Sequence, residues 1–253
     1  MNENKIWVAL DVGVDRAFYL TKLLKPHARG FKIGPQLNTE ILAWLITAKN
    51  PISAWFRLMK VRSLFAMFGG EFFWDWKIHD TPNTVLGASK ALTKLQPRMR
   101  TVHASGGHEM LEAAVANRGE SFVMAVTLLS SNTERDIHDI FCGSIRAKVL
   151  QFARLAVRTG CDGVISSPLE LRYFQEYEQE FANLWKVTPS IRTKDSPSDD
   201  QERTMTAYEA ILAGADELVI GRPIIDAIDP LAAIKMLNAD VAIAQERLQK
   251  RAA

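Results

Sequence analysis

Residues 75–80 of the chain read Asp75-Trp76-Lys77-Ile78-His79-Asp80. One ammonium stands between two carboxylates, directly after the apolar run Phe72-Phe73-Trp74 and just before Thr81-Pro82. On a strand, side chains two apart point the same way, so Asp75 and Lys77 share a face and Asp80 stands three residues on, in the next loop. Two chemistries fit this spacing. A buried ammonium needs carboxylate partners, so one use of the cluster is a structural ion pair. The other is catalytic: flanking carboxylates raise a lysine's pKa and keep it cationic, able to stabilise or protonate a carbanion. A Schiff-base lysine would want the opposite, a neutral amine.

Other polar residues carry weaker signals. His79 and His103 have the chemistry of metal ligands, but His103 and His108 lack the spacing of a helical metal pair, and no Cys or carboxylate completes a set. No metal is expected, and His103 is read as a hydrogen-bonded residue inside the fold. Trp74 and Trp76 alternate with Asp75 and Lys77, which predicts packing under outer helices rather than stacking on a base. Ser130, beside Ser131, has no activating base and is not read as a nucleophile.

The elements that must position these residues follow a regular pattern. Short apolar runs occur at 6–11, 30–34, 71–77, 100–104, 122–129, 162–167, 184–189 and 217–221. Nearly continuous apolar runs suit parallel strands buried on both faces. Segments with helical spacing lie between them, such as GHEMLEAAVANR and AKVLQFARLAVRTG, the second ending in Gly160 as a helix stop. Eight such units in 253 residues predict an α/β fold, a (β/α)8 TIM barrel forming a single domain over 1–253. A doubly wound sheet competes but gives less reason for eight units. The segment 35–70 is long for one barrel helix and predicts two helices or a helical insertion. A barrel puts chemistry at the C-terminal ends of its strands. Asp11, Lys32, Asp75, Lys77, Asp80, His103, Ser130, Ser131, Gly221 and Arg222 all fall at or near such ends.

Bulk properties narrow the class. A hydrophobic share of 47% supports a sizeable core. With 31 basic and 29 acidic residues spread along the chain, there is no basic stripe and no nucleic-acid partner is expected. Cys142 and Cys161 have no metal or redox spacing and read as reduced thiols of a cytoplasmic protein. No signal peptide is read at the N-terminus, and no apolar run reaches the ~18 residues of a membrane span. Residues 53–70, SAWFRLMKVRSLFAMFGG, mix Trp, Phe and Met with Arg57, Lys60 and Arg62. That composition suits a membrane surface, but packing of an apolar stripe on the core is the favoured reading, with no membrane partner.

DWKIHDTPNTV resembles the D-x-K-x-x-D-I-P-N-T signature of the orotidine 5'-phosphate decarboxylase family. VALD, FKIG, TVHASGG, AVTLLSS, DGVISSP, VTPSIR, DDQERTMT, AILAGAD and LVIGRPI also fall in the family's order, so the resemblance runs from about Val8 to Pro230. A lone DxKxxD is shared with related sugar-phosphate decarboxylases and aldolases; the PNT, the Gln of the phosphate loop and IGRP narrow the match. The resemblance implies cofactor-independent decarboxylation of orotidine 5'-monophosphate to uridine 5'-monophosphate, with Lys77 as proton donor to C6 and Asp75 near the substrate carboxylate. It implies a homodimer in which Asp80 and Thr84 reach the partner's site. Asp11 and Lys32 would bind ribose hydroxyls, with Lys32 tied into the charged network. Ser131 would meet the pyrimidine, Pro189 would line the site, and Gln201 would bridge phosphate and base. Arg222 and the Gly221 N–H would hold the phosphate. Three positions depart from the pattern: Thr81 replaces Ile, Ser190 replaces Gly in P-G-I-R, and Asp199 replaces the Gly before Asp-Gln. A lost Gly matters where φ is positive or the backbone approaches a ligand closely. A Mg²⁺-dependent sugar-phosphate enzyme and a nucleotide binder without turnover remain the alternatives.

Overall fold

The computed structural model describes residues 4–193 and 204–252. The eight apolar runs form eight parallel strands: β1 (Ile6–Ala9), β2 (Gly30–Ile33), β3 (Phe72–Ile78), β4 (Met99–His103), β5 (Phe122–Val126), β6 (Gly163–Ile165), β7 (Trp185–Thr188) and β8 (Glu217–Ile220). Each pairs with the next, and β8 returns to β1, so the barrel closes as expected. Closure leaves no unpaired sheet edge.

Helices fill the outer layer. α1 (Val14–Leu24) follows β1, and α2 (Pro35–Ile46) and α3 (Pro51–Phe68) follow β2. α4 (Pro82–Leu92) follows β3, α5 (His108–Ala116) follows β4, and α6 (Glu134–Phe141) with α7 (Ile145–Arg158) follow β5. α8 (Leu171–Glu176) and α9 (Glu178–Phe181) follow β6, α10 (Ala207–Leu212) follows β7, and α11 (Arg222–Ile225) and α12 (Pro230–Ala252) follow β8. The stop signal after α7 is real: Gly160 takes φ +74°, a left-handed conformation that costs glycine little.

Strand alternation divides the core in two. Trp7, Phe73, Met99, Met124, Val187 and Val219 fill the barrel interior, and a larger cluster lies between strands and helices. Trp7 is fully buried, meets Phe73 edge-on at 6.0 Å, and donates its indole N–H to Glu217. The indole also dictates its neighbour: a Cβ on Gly30 would lie 2.4 Å from a Trp7 ring carbon. Arg100 points outward from β4, fully buried, and donates to the Ser89 and Arg118 carbonyls and to Ser121 Oγ. That ties α4 and the turn after α5 to one strand. Burial pushes its guanidinium down to about 10.

Two packing expectations need correction. Residues 35–70 do hold two helices, but α3 lays only its C-terminal half on the core, through Val61, Leu64 and Phe68. Ile52, Trp55, Phe56, Leu58 and Met59 are exposed, as are Leu42 and Ile46 of α2. The reason is length. Lys60 already pairs with Asp15 in the first turn of α1, which follows the C-terminal end of β1. Earlier residues of α3 therefore run past the strands, where the Arg57 guanidinium stacks on Trp44 at 5.3 Å and bonds its carbonyl. Trp76 is the second correction: Trp74 is buried under the helices, but Trp76 is 50% exposed. β3 outruns β2, whose last paired residue, Ile33, faces Trp74, so Trp76 stands beyond the end of that pairing. Among the described residues no helix is long and apolar enough to cross a membrane.

Candidate active site

The C-terminal mouth of the barrel holds a cavity of about 560 Å³. At its base the charged residues of three strand ends alternate in sign. The Lys32 ammonium, from β2, lies 3.2 Å from Asp11 Oδ1, just past β1, and 3.3 Å from Asp75 Oδ2 on β3. The Lys77 ammonium lies 2.8 Å from the same Asp75 oxygen. The other carboxylate oxygen, Oδ1, accepts a hydrogen bond from Thr101 on β4 at 3.0 Å. Gly34 keeps room for this array, since a Cβ there would sit 2.9 Å from Lys32 Nζ.

Burial makes the array cohere. Asp75 and Lys32 are almost wholly buried, whereas the Lys77 and Asp11 side chains are partly open to the cavity. Burial works against the charge on Lys32, but the Asp75 and then the Asp11 carboxylates outweigh it and raise its pKa above the usual 10.5. Burial likewise disfavours the Asp75 anion. Lys32, then Lys77, with hydrogen bonds from Lys77 and Thr101, outweigh it and hold Asp75 below the usual carboxylate range. The Lys32 ammonium and the Asp75 carboxylate are therefore both charged at neutral pH. One anion serves two cations, and a cavity-facing ammonium is the result.

β3 bends to achieve this. Trp74 pairs with Arg100 and Ile78 with Val102, so four steps on β3 match two on β4. Within this bulge Lys77 takes φ +49°, left-handed although it is not glycine. Bulges near active sites re-aim side chains. Beside them the His79 and His103 rings lie 5.6 Å apart. Burial first, then the charges of His79 and Lys77, push His103 down to about 4, so it is neutral at pH 7. Contrary to expectation, the His103 ring makes no hydrogen bond among the described residues; it stays half-buried against the neighbouring ring.

Of the sequence-derived site residues, Asp11, Lys32, Asp75, Lys77, Pro189, Gly221 and Arg222 line this one cavity. Asp80 and Thr84 are exposed outside its lining: Asp80 Oδ1 accepts from the Thr81 N–H at 2.7 Å, and Thr84 meets the Thr81 hydroxyl at 3.0 Å. Ser131 is exposed too, and Ser130 takes its place in the lining. Gln201 and Asp199 lie outside the described residues. Ser190, flagged as a lost glycine, takes φ +64° and is buried at the cavity wall. Sequence reasoning missed Gln36 and Arg192 of the lining, and it missed Thr101. Arg192 had a signal, since it follows the seventh strand, where barrels often bind phosphate; Thr101, inside a strand, had none.

Comparison with known proteins agrees with this geometry. Residues 4–237 match the family described as orotidine 5'-phosphate decarboxylase / HUMPS. The chain is 39% identical over 253 aligned residues to orotidine 5'-phosphate decarboxylase of Moorella thermoacetica, covering 94% of this chain and 92% of the relative. It is 35% identical over 246 to the protein of the same name from Geobacter metallireducens, covering 94% and 95%. Among solved structures, orotidine 5'-phosphate decarboxylase from Lactobacillus acidophilus superposes with a TM-score of 0.73 at 30% identity, over 94% of this chain and 99% of that one. The barrel, the alternating charges at its mouth and these relatives converge, and the chain belongs to the orotidine 5'-phosphate decarboxylase / HUMPS family.

Proposed function

We propose that this chain decarboxylates orotidine 5'-monophosphate to uridine 5'-monophosphate, in pyrimidine biosynthesis, without a cofactor. One observation carries the reading: the Lys77 ammonium is held at the cavity by a buried carboxylate that it shares with Lys32. Breaking the bond from C6 to the carboxylate releases CO2 and leaves its electron pair at C6. A fixed ammonium in a low-dielectric site stabilises that charge as it develops. Lys77 Nζ then passes a proton to C6 and is reprotonated from solvent. Asp75, already held between two cations, keeps Lys77 in place and lies near the departing carboxylate.

The remaining roles follow the cavity's walls. Asp11 and Lys32 bind the ribose hydroxyls. Arg222, with the Gly221 N–H, holds the phosphate, to which planar guanidinium donors are suited, and Pro189 lines the site. Ser131 and Gln201 complete base and phosphate recognition in the bound state. Asp80 and Thr84, exposed on their own subunit, serve the site of a second copy, so the working unit is a homodimer in the cytoplasm. Binding energy from the phosphate organises the site for a reaction several bonds away.

The test is loss of orotidine 5'-monophosphate absorbance with purified protein in EDTA, with Lys77→Ala as control. Metal-free turnover that vanishes in the variant supports the reading. No turnover with retained binding of uridine 5'-monophosphate would replace it with a nucleotide binder. Loss of both would point to a Mg²⁺-dependent sugar-phosphate enzyme.

A further inference from the structure

We propose that Thr101 is a positioning residue for the proton donor, and that one buried hydroxyl sets both the backbone of Lys77 and the carboxylate of Asp75. The inference rests on the decarboxylase reading of the site. Thr101 Oγ1 accepts the Lys77 backbone N–H at 2.8 Å and donates to Asp75 Oδ1 at 3.0 Å. Its single proton and an acceptor lone pair are thus both committed. The residue is fully buried, so no water replaces either bond.

The bulge explains why a side chain is needed here. Between Trp74 and Ile78 the backbone ladder to β4 is interrupted. A left-handed, non-glycine residue costs roughly 1–2 kcal/mol and persists only where its surroundings hold it. The Thr101 hydroxyl supplies the acceptor for the Lys77 N–H inside that interruption. Its second bond fixes the rotation of the Asp75 carboxylate. With Oδ1 tied to Thr101, Oδ2 is left for both ammoniums, at 2.8 Å from Lys77 and 3.3 Å from Lys32. Lys77 is therefore aimed from two ends, through its main chain and through its ion pair, by a residue that does not line the cavity.

The test compares wild type, Thr101→Val and Thr101→Ser in steady-state decarboxylation, with thermal unfolding of each. Wild-type turnover decides the decarboxylase reading; the ratios among variants decide this inference. Valine keeps the shape and loses both bonds. A displacement of the donor by about 1 Å is enough for a loss of about 10²-fold, so kcat should fall by about that factor, while KM, set by phosphate and ribose contacts, stays within about threefold. Serine keeps the hydroxyl and should hold kcat within about threefold of wild type. Unchanged kcat in the valine variant overturns the proposal. So does a serine variant as impaired as valine, because the methyl rather than the hydroxyl would then matter. If the valine variant does not fold, Thr101→Cys replaces it: kcat of the cysteine variant below that of serine supports the role, and equality overturns it.

Discussion

The Lys77 ammonium lies 2.8 Å from Asp75 Oδ2, although the two residues are only two positions apart and the strand between them is bulged. Lys32, from the neighbouring strand, uses the same oxygen at 3.3 Å. Asp75 therefore keeps a buried partner when Lys77 is removed, whereas neither lysine keeps its shared anion when Asp75 is removed. The two substitutions should fail in different ways.

Lys77→Ala should lose catalysis far more than stability. The Lys77 side chain is partly exposed and the Lys32–Asp75 pair survives its removal. We expect kcat to fall by at least about 10³-fold, in line with loss of a preorganised charge at the reacting centre. Thermal unfolding should move by only a few degrees, as for loss of about 1 kcal/mol. A variant that unfolds well below wild type would show that Lys77 is chiefly structural.

Asp75→Asn should lose both. It leaves Lys32 buried beside Lys77 without the carboxylate between them. Breaking a buried pair from one side costs about 3–5 kcal/mol. The pH dependence carries the sign. Asp75 is held below the usual carboxylate range in the fold, so its stabilisation is present above the unfolded-state pKa and fades as pH falls through the lower folded value. Denaturant midpoints of wild type and variant should differ at pH 7 and converge in acid.

How far the sequence reaches is visible at the same strand. Apolar runs located all eight strands, because parallel barrel strands are buried on both faces and need little else. Their overshoot was informative: the extra residues Asp11, Pro189 and Gly221 lie just past strand ends and line the cavity. Period-two reasoning placed Asp75 and Lys77 together, but not the left-handed turn at Lys77 or the acceptor that holds it. Both depend on β4, a partner 24 residues away. Exposure of Trp76 was hidden for the same reason, since it depends on where β2 stops.

His103 should report its burial by titration. Its pKa is pushed down from 6.5 to about 4 in the fold. The unfolded chain then binds more protons between those values, so stability rises with pH across that window and is lost on acidification. Histidine resonances followed by NMR should show one ring still neutral at pH 5. His103→Gln should flatten the unfolding midpoint between about pH 4 and 6.5. An ordinary titration near 6.5 would contradict the burial.

The projecting half of α3 should tolerate polar substitution. Trp55 and Phe56 are 61% and 70% exposed, whereas Leu64 on the same helix is fully buried. Trp55→Ser with Phe56→Ser should stay within about 0.5 kcal/mol of wild type, and Leu64→Ala should cost about 2–5 kcal/mol. Equal losses would mean that the exposed half packs on something in solution.

Ser190 gives the one substitution expected to stabilise the fold. Its backbone is left-handed at φ +64°, and its hydroxyl is buried without a hydrogen-bond partner among the described residues. A side chain at such a φ costs roughly 1–2 kcal/mol, and an unpaired buried hydroxyl adds about 1–3 kcal/mol. Glycine removes both penalties and gives back about 0.5–1 kcal/mol through the freer unfolded chain. Ser190→Gly should therefore raise the unfolding free energy by about 1 kcal/mol or more. Ser190→Ala separates the two contributions, since it removes the hydroxyl and keeps the strain. If alanine stabilises as much as glycine, the orphaned hydroxyl is the larger cost; if only glycine does, the backbone is. A glycine variant less stable than wild type would mean that the hydroxyl is satisfied and that the left-handed turn is not strained.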